Sequence, residues 1–370
     1  MNFTKKSIGF VITSLIYSKN TKNRKHAVPR IFCYYKRIGL HVVMVCLAVL
    51  YLNGCMLKKE VLFSGNTMST SYHVKIVTGY FNKTAYIKDL IDKRLLEINN
   101  SMSIYIKDSE ISRFNALNST DTRYGISDDF LCVLMNAKHL HKITRGAWDG
   151  TIKPLVKLWG FEDGIIKKEA PAKHEIDQLL STIGFGHICI SEKGYIQKQK
   201  RQLSLDLASI AKGYAVDQLT GLMRSLKIDN FIVEIGGEVY ASGLRKDGKK
   251  WKVGINRPEK DAFFNDVYKA VSLQNKALAT SGDYRNYFEI NGRRYSHVLD
   301  PATGYPVNNG VVSVTVISEQ CMFADGLATA VMVMGHKKGL ELVNGIDDVE
   351  CMIIVEENHG ILKDYYSDGF

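Results

Sequence analysis

The sequence predicts an α+β fold of mixed helices and antiparallel strands, built as a single compact unit with room for two lobes. Three observations predict it. Apolar periods of 2 and of 3.6 residues mix along the chain without the regular strand–helix alternation of a doubly wound sheet. There is no internal repeat, and 6 Pro and 30 Gly in 370 residues leave no Pro- or Ser-rich linker. The composition, 45% apolar and 24% charged, supports a sizeable core and excludes a disordered, collagen-like or fibrous chain.

The elements follow in order. Met56–Asn66 reads as a short polar tether, and Ser71–Val77 alternates as a strand. Thr84–Met102 has helical periodicity, with Ile87, Leu90, Ile91, Leu95 and Ile98 on one face. Asp128–Thr144 is a second helix, stopped by Gly146, and His174–Thr182 a short third. Ile188–Ile190 and Tyr195–Lys198 read as paired strands. Strand-like Leu203–Leu207 runs into a helix at Ala208–Leu226, and Phe231–Ile235 ends in Gly236-Gly237. A meander follows at Val239–Gly243, Trp251–Ile255, Val267–Leu273, Tyr287–Ile290 and Arg294–His297. The β-branched strand Val311–Ile317 leads to helices at Met322–Val333 and Lys337–Val343. A hairpin of Met352–Glu356 with Ile361–Tyr365 closes the chain.

The net charge of +11 is unevenly placed. Nine of the 49 basic residues lie in the first 54 positions, which hold no acid, so residues 55–370 carry 40 basic and 38 acidic side chains. A near-neutral body without basic clusters interleaved with aromatics argues against nucleic acid as a partner. The basic segment has its own reading. Lys36 and Arg37 precede a 14-residue apolar run, Gly39–Leu52, which is short for a membrane span and fits the core of a secretory signal. Leu52-Asn53-Gly54-Cys55 then resembles the lipobox of bacterial lipoproteins, which implies cleavage before Cys55 and a lipid on its sulfur and new amino group. An uncleaved N-terminal anchor is the alternative. A signal of 54 residues exceeds the usual 15–30, and no Met separates Met1 from Met44, so translation is expected to start at a non-AUG codon near Val28. N-terminal sequencing of unprocessed precursor tests this. The expected divisions are 1–54 as extension and signal, 55–66 as tether and 67–370 as the catalytic domain. Cys132, Cys189, Cys321 and Cys351 show no metal-ligand spacing and are expected to be buried free thiols.

Several familiar motifs fail. Gly243–Lys250 has the glycines and lysine of a phosphate loop but lacks its Ser or Thr and joins two strands. His139 and His141, at i and i+2 of a helix, do not share a face for a metal. What remains are polar or Gly-rich clusters beside apolar elements: Ser103–Asn115, Gly146–Thr151, Asp206–Asp217, Ser281–Tyr284, Ser296–Gly304 and Ala324–Thr329. Asp325 and Thr329 are i, i+4 on one helix, a carboxylate and a hydroxyl suited to a hard cation such as Mg²⁺. The alternative is a helix-capping Asp with a buried Thr. Asp206 and Lys212 lie at a strand-to-helix junction, where free N–H groups and a point charge favour phosphate; a capped helix with a solvated Lys is the alternative. His297, between a strand and Asp300-Pro301, is a candidate general base, histidine being the residue type suited to that role near neutral pH; a structural histidine is the alternative.

These clusters, in this order, resemble the FAD:protein FMN transferase (ApbE-type) family. The stretches that carry the resemblance include Thr67-Met68-Ser-Thr-x-Tyr72, S-E-I-S-R-F-N, G-A-W-D-G-T-I-K-P-L-V-x-L-W-G-F, L-D-L-A-S-I-A-K-G-Y-A-V-D, E-I-G-G-E-V-Y-A-S-G, A-T-S-G-D-Y, S-H-V-L-D-P-x-T-G and A-D-G-L-A-T-A. They span about residues 63–340. The resemblance implies a T-fold-like α+β core and export as a lipoprotein of the bacterial cell membrane, facing the periplasm or exterior. It implies FAD as substrate, Mg²⁺ as cofactor, and transfer of FMN to a Thr hydroxyl of an exported flavin-accepting protein, such as a membrane redox complex subunit, with release of AMP. By the family pattern, metal ligands fall on Asp325, Thr329 and the carbonyl of Ser209. FAD contacts fall on Met68, Tyr105, Ala147, Trp148, Asp149, Asp206, Lys212 and Leu299, with Gly236 and Gly237 allowing close backbone approach. Tyr105 and Trp148 would cover its aromatic rings. His297 would accept the proton of the attacking hydroxyl, with Asp283 or Asp300 orienting it. Trp148 replaces a more frequent Phe, Ser209 varies, and Glu238 stands where Asp or Asn is common. An FAD pyrophosphatase and a non-catalytic flavin-binding lipoprotein remain as alternatives.

Overall fold

The computed structural model describes residues 44, 57–161, 169–259, 266–283, 287–290, 293–357 and 360–370. Cys55, Tyr284 and nearly all of the export segment lie outside the described residues. Within Lys58–Phe370, which forms one compact unit, the stretch read as a tether is a strand. β1 (Lys58–Thr67) pairs in register with β2 (Thr70–Gly79). Met68 and Ser69 turn the hairpin at φ 48° and 59°, the two left-handed positions of a tight hairpin turn. β1 escapes sequence reading because it is a sheet edge. Lys58, Glu60, Leu62 and Ser64 alternate outward along it, and charge on an edge strand masks the apolar pattern while blocking aggregation.

The helical half of the chain then supplies α1 (Ala85–Met102), α2 (Glu110–Ala116), β3 (Tyr124–Gly125), α3 (Asp128–Ile143), α4 (Lys153–Trp159) and α5 (Lys173–Leu180). β4 (Ile188–Ser191) and β5 (Tyr195–Lys198) pair as expected and join β3 in a small sheet. After α6 (Ala208–Ser225) come β6 (Asn230–Ile235), β7 (Glu238–Ser242), β8 (Trp251–Asn256), β9 (Val267–Leu273), β10 (Lys276–Gly282), β11 (Tyr287–Ile290), β12 (Arg293–Ser296) and β13 (Val311–Ser318). α7 (Cys321–Asn344), β14 (Glu350–Glu357) and β15 (Ile361–Tyr366) complete the order. Gly335, at φ 79° and ψ 166°, breaks α7 where the sequence separates two helices.

Eight strands make one antiparallel sheet in the order β1-β2-β6-β7-β10-β13-β14-β15, open at both edges. α1, α6 and α7 cover one face around Ile91, Leu95, Val216, Leu219, Val314 and Val316. The β8–β9 ribbon covers part of the other face, where Trp251 and Leu273 meet Val77, Ala241 and Leu278, and Ile255 meets Val312, Met352 and Ile354. β7, β13 and β14 are therefore buried on both faces along most of their length, which is why they read as continuous apolar runs.

Two local readings change. β10, K-A-L-A-T-S-G, has weak strand propensity and was not foreseen, yet it lies mid-sheet between β7 and β13. Leu203–Leu207 is extended but joins no ladder. The Asn115 amide stands in for a neighbouring strand, donating to the Leu205 carbonyl (2.8 Å) and accepting from its N–H (2.7 Å). The four described cysteines are free; Cys321 and Cys351 are buried, but Cys132 and Cys189 are exposed.

Lys198 of β5 is buried and donates to the carbonyls of Asn115 (3.0 Å) and Leu117 (2.9 Å), closing the end of α2. Burial pushes its pKa down to about 8. An unfolded lysine keeps its proton to about pH 10.4. Between those values the unfolded state binds more protons, so this group's contribution to stability rises with pH, and its penalty is full below pH 8. Urea midpoints of the wild type and Lys198→Met are expected to shift in favour of the wild type between pH 7.5 and pH 10.

Candidate active site

α6 meets the start of α7 at Gly213, where α6 carries no side chain to hold the two apart. A Cβ on Gly213 would lie 2.5 Å from the Cys321 carbonyl oxygen and 2.7 Å from Met322 Cα. Asp217, one turn further along α6, accepts the amides of Cys321 (2.8 Å) and Met322 (2.9 Å) and so caps α7. Burial raises its pKa to about 6 against those two donors. α7 thus begins before Ala324, and Asp325 sits inside the helix rather than at its cap. Its carboxylate turns to α6 and accepts the Gly213 N–H at 3.0 Å. In an ideal α-helix that amide serves the carbonyl of Ser209, four residues back.

Three charges meet at this crossing. Lys212 Nζ lies 2.6 Å from Glu238 Oε1 at the start of β7 and 3.8 Å from Asp325 Oδ1. Burial opposes the ammonium, but Asp325 and Glu238 outweigh it and hold its pKa above the usual lysine range. Burial likewise pushes both carboxyls upward, with Lys212 opposing. One cation serves two buried acids, and Glu238 Oε2 is buried without a hydrogen-bond partner. Thr329 Oγ1 lies 3.0 Å from Ser281 Oγ of β10 and donates to the Asp325 carbonyl at 3.4 Å. Among the described residues no cluster of three or more His, Cys, Asp or Glu forms a metal site. The donors here are all oxygens: a carboxylate, a hydroxyl, and the Ser209 carbonyl whose helical amide partner Asp325 engages. That set, with its excess of buried negative charge, fits Mg²⁺, which binds through few protein oxygens and completes its shell with water and phosphate.

The surroundings are tightly made. Trp148 is buried and reaches this region by its indole N–H, which donates to Ser209 Oγ at 3.0 Å. Its ring packs on Phe185, and of the two aromatic residues Tyr105 is the exposed one, at 75%. Asp149 accepts from Thr151 N–H (2.8 Å), Thr151 Oγ1 (2.6 Å) and Phe185 N–H (3.0 Å), pinning the loop that carries Ala147 and Trp148. Asp206 is not a strand end. Its N–H donates to the Gly150 carbonyl and its Oδ1 accepts from Ala208 N–H at 2.9 Å, holding the entry to α6.

Two turns lie side by side. The Gly236 N–H donates to the Ser71 carbonyl at 3.1 Å, setting the Gly236-Gly237 turn against the hairpin of Met68. Gly236, at φ 59°, also packs where a Cβ would meet Thr70 Cγ2 at 2.8 Å. Asp283 is buried at the end of β10, its N–H on the Val312 carbonyl. His297 leaves β12 half-buried, edge-on to Phe161 with ring centroids 6.5 Å apart. Leu299 is buried with Leu155, Trp159 and Ile176. The Asp300 carboxylate accepts from Ala302 N–H and Thr303 Oγ1, closing its own turn.

The structure therefore brings Ser209, Lys212, Asp325 and Thr329 into one cluster with Trp148 at its side. It adds two residues that sequence reasoning did not select. Glu238 was visible only as an acid directly after the double glycine, and Ser281 only as part of a polar cluster.

Residues 68–353 match the ApbE family. The chain is 41% identical over 331 residues to the FAD:protein FMN transferase of Vibrio cholerae serotype O1, covering 88% of this chain and 97% of that relative. It is 37% identical over 337 residues to the Haemophilus influenzae protein of the same name, covering 89% and 96%. The solved flavin transferase ApbE from Vibrio cholerae superposes with a TM-score of 0.76 at 38% identity, over 85% of this chain and 99% of that one. The apo form of the Pseudomonas stutzeri flavinyl transferase ApbE superposes with the same TM-score at 34% identity, over 85% and 96%. With the family match over residues 68–353, the identity to its relatives and the shared fold in agreement, the chain belongs to the ApbE family.

Proposed function

We propose that this chain is a transferase that moves FMN from FAD to a threonine hydroxyl of another protein and releases AMP. The observation that carries the reading is the pairing of Lys212 with the buried acids Glu238 and Asp325 at the crossing of α6 and α7, in a chain this similar to proteins named FAD:protein FMN transferase.

The residues divide the work. The positive end of the α6 dipole, at an entry held by Asp206, favours an anion such as pyrophosphate, and Lys212 supplies a fixed positive charge held protonated by its two acids. The adjacent turns at Met68 and Gly236-Gly237 offer backbone that a ligand can approach closely. Asp149 and Trp148 hold the loop at Ala147, and Tyr105 offers an aromatic face to a flat ring. Asp325, Thr329 and the Ser209 carbonyl would hold Mg²⁺, which when bound would supply positive charge to the pyrophosphate. The acceptor hydroxyl oxygen forms a bond to the phosphorus of the FMN half as the bond from that phosphorus to the bridging oxygen breaks. AMP departs with that oxygen, and the hydroxyl proton passes to His297.

We place the protein on the outer side of a bacterial membrane, anchored by lipid at Cys55. The lipobox-like Leu52–Cys55 after a 14-residue apolar run supports this. Among the described residues, no helix is long and apolar enough to cross a membrane.

Incubation with FAD, Mg²⁺ and a flavin-accepting domain is expected to give acceptor carrying acid-stable flavin, with one AMP released per flavin. Free FMN beside unmodified acceptor would replace the transferase reading with hydrolysis. His297→Ala is expected to slow transfer by about 10²–10⁴-fold while FAD still quenches intrinsic fluorescence; full activity in that variant would remove His297 as the base.

A further inference from the structure

The turn between β2 and α1 carries aromatic residues where folding gives no reason for them. The Asn82 N–H closes it on the Gly79 carbonyl at 3.0 Å, and the Asn82 side chain braces Thr78 Oγ1 at 2.9 Å. The two tip positions are Tyr80 and Phe81, 58% and 76% exposed, and Tyr86 at the start of α1 is 50% exposed. Turn tips favour Gly, Asn, Asp, Pro and Ser. Here the two rings instead stand edge to face in solvent, with centroids 5.4 Å apart.

The same end of the molecule is basic and lies where the chain enters the fold. Lys58 pairs with Gly79 across the β1–β2 ladder, and Lys59 Nζ donates to the Asn82 carbonyl at 2.8 Å. Lys83 follows in the turn, and Glu60 is the one acid within 57–60 and 79–86. Leu57, at the head of β1, is 55% exposed. Only Met56 and Leu57 separate Cys55 from Lys58, three residue steps that reach about 11 Å even fully extended.

We propose that this patch is a membrane-docking surface that inserts Tyr80, Phe81 and Tyr86 into the headgroup region of a bilayer, with Lys58 and Lys83 against anionic lipid phosphates. Aromatic rings with an apolar body settle at the bilayer–water boundary, and lysines near the surface add attraction to anionic lipid. A lipid chain alone tethers a body without orienting it. The patch turns one end of the fold toward the bilayer and holds the rest of the molecule in a defined attitude to it. The orientation rests on the lipid anchor at Cys55 proposed above; the affinity of the patch for lipid does not.

The body, residues 56–370, carries no lipid and measures the patch by itself. Co-sedimentation with phosphatidylcholine vesicles containing phosphatidylglycerol is expected to show binding. The combined variant Tyr80→Ser, Phe81→Ser, Tyr86→Ser is expected to weaken it at least tenfold, and high salt to weaken it further. A dye at Phe81→Cys is expected to shift to the blue on adding vesicles. Equal binding by wild type and variant, or no shift at position 81, would overturn the proposal. So would self-association of the wild type in the absence of vesicles that the variant loses, because the patch would then face protein. Flavin transfer in solution, equal in both proteins, shows that the variant is folded and keeps this result separate from the transferase reading. Mass analysis of Cys55 in membrane-extracted full chain tests the anchor independently.

Discussion

Asp325→Asn is expected to lower FMN transfer by about 10³-fold or more, the scale of losing a charged group that stabilises developing charge in a water-poor site. The asparagine keeps an oxygen for the Gly213 N–H, so the α6–α7 crossing survives. What disappears is one of the two acids facing Lys212 and, on the proposed reading, the anionic oxygen that would meet Mg²⁺. The variant should fold with an unchanged melting temperature to within a few degrees. It should also need far more Mg²⁺ to reach its residual rate, which a titration of rate against metal separates from unfolding. Wild-type activity in Asp325→Asn would remove the cluster from the chemistry.

Gly213→Val is expected to prevent normal folding. The nearest atoms to a new Cβ are backbone, the Cys321 carbonyl at 2.5 Å and Met322 Cα at 2.7 Å, and backbone at a helix crossing cannot rotate aside. Separating α6 from α7 also pulls the Asp217 cap from Cys321 and Met322 and moves Asp325 away from Lys212. A cost above about 4 kcal/mol, in the range of overpacking combined with a broken buried network, should appear as a fall in melting temperature of about 8 °C or as insoluble protein. Gly221 is the control within the same helix. Nothing lies within 4 Å of its added Cβ and it is exposed, so Gly221→Ala should gain up to about 1 kcal/mol from helix propensity.

The contrast between these glycines shows where sequence reading stops. Both lie in a helix that periodicity locates to within a residue, because one apolar stripe at i, i+3 and i+4 suffices to mark it. Which glycine matters depends on what crosses the helix, and the crossing partner starts more than a hundred residues later. Glu238 is the same case. Its place after two glycines is local, but its burial, its pairing with Lys212 and its unpartnered Oε2 follow from β7 being covered on both faces. β1 and β10 were missed because an edge strand and a strand of small residues lack the apolar alternation that identifies a strand.

From residue order alone come the mixed α+β class, most helix and strand positions, and the family, since motifs and periodicity are properties of nearest neighbours along the chain. The same order located nine of the positive charges in an N-terminal segment that reads as an export signal. Folding alone decided which motif residues act together. Ser209, Lys212, Asp325 and Thr329 converge with Glu238 and Ser281 because Gly213 lets two helices touch and Asp217 fixes their register. It also set Asp149 and Asp206 to hold loops, and placed the β2–α1 turn next to the point where the chain enters the fold. Contacts between segments far apart in the chain depend on packing and on the desolvation of charge, and both are settled only when the sheet and its helices close over each other.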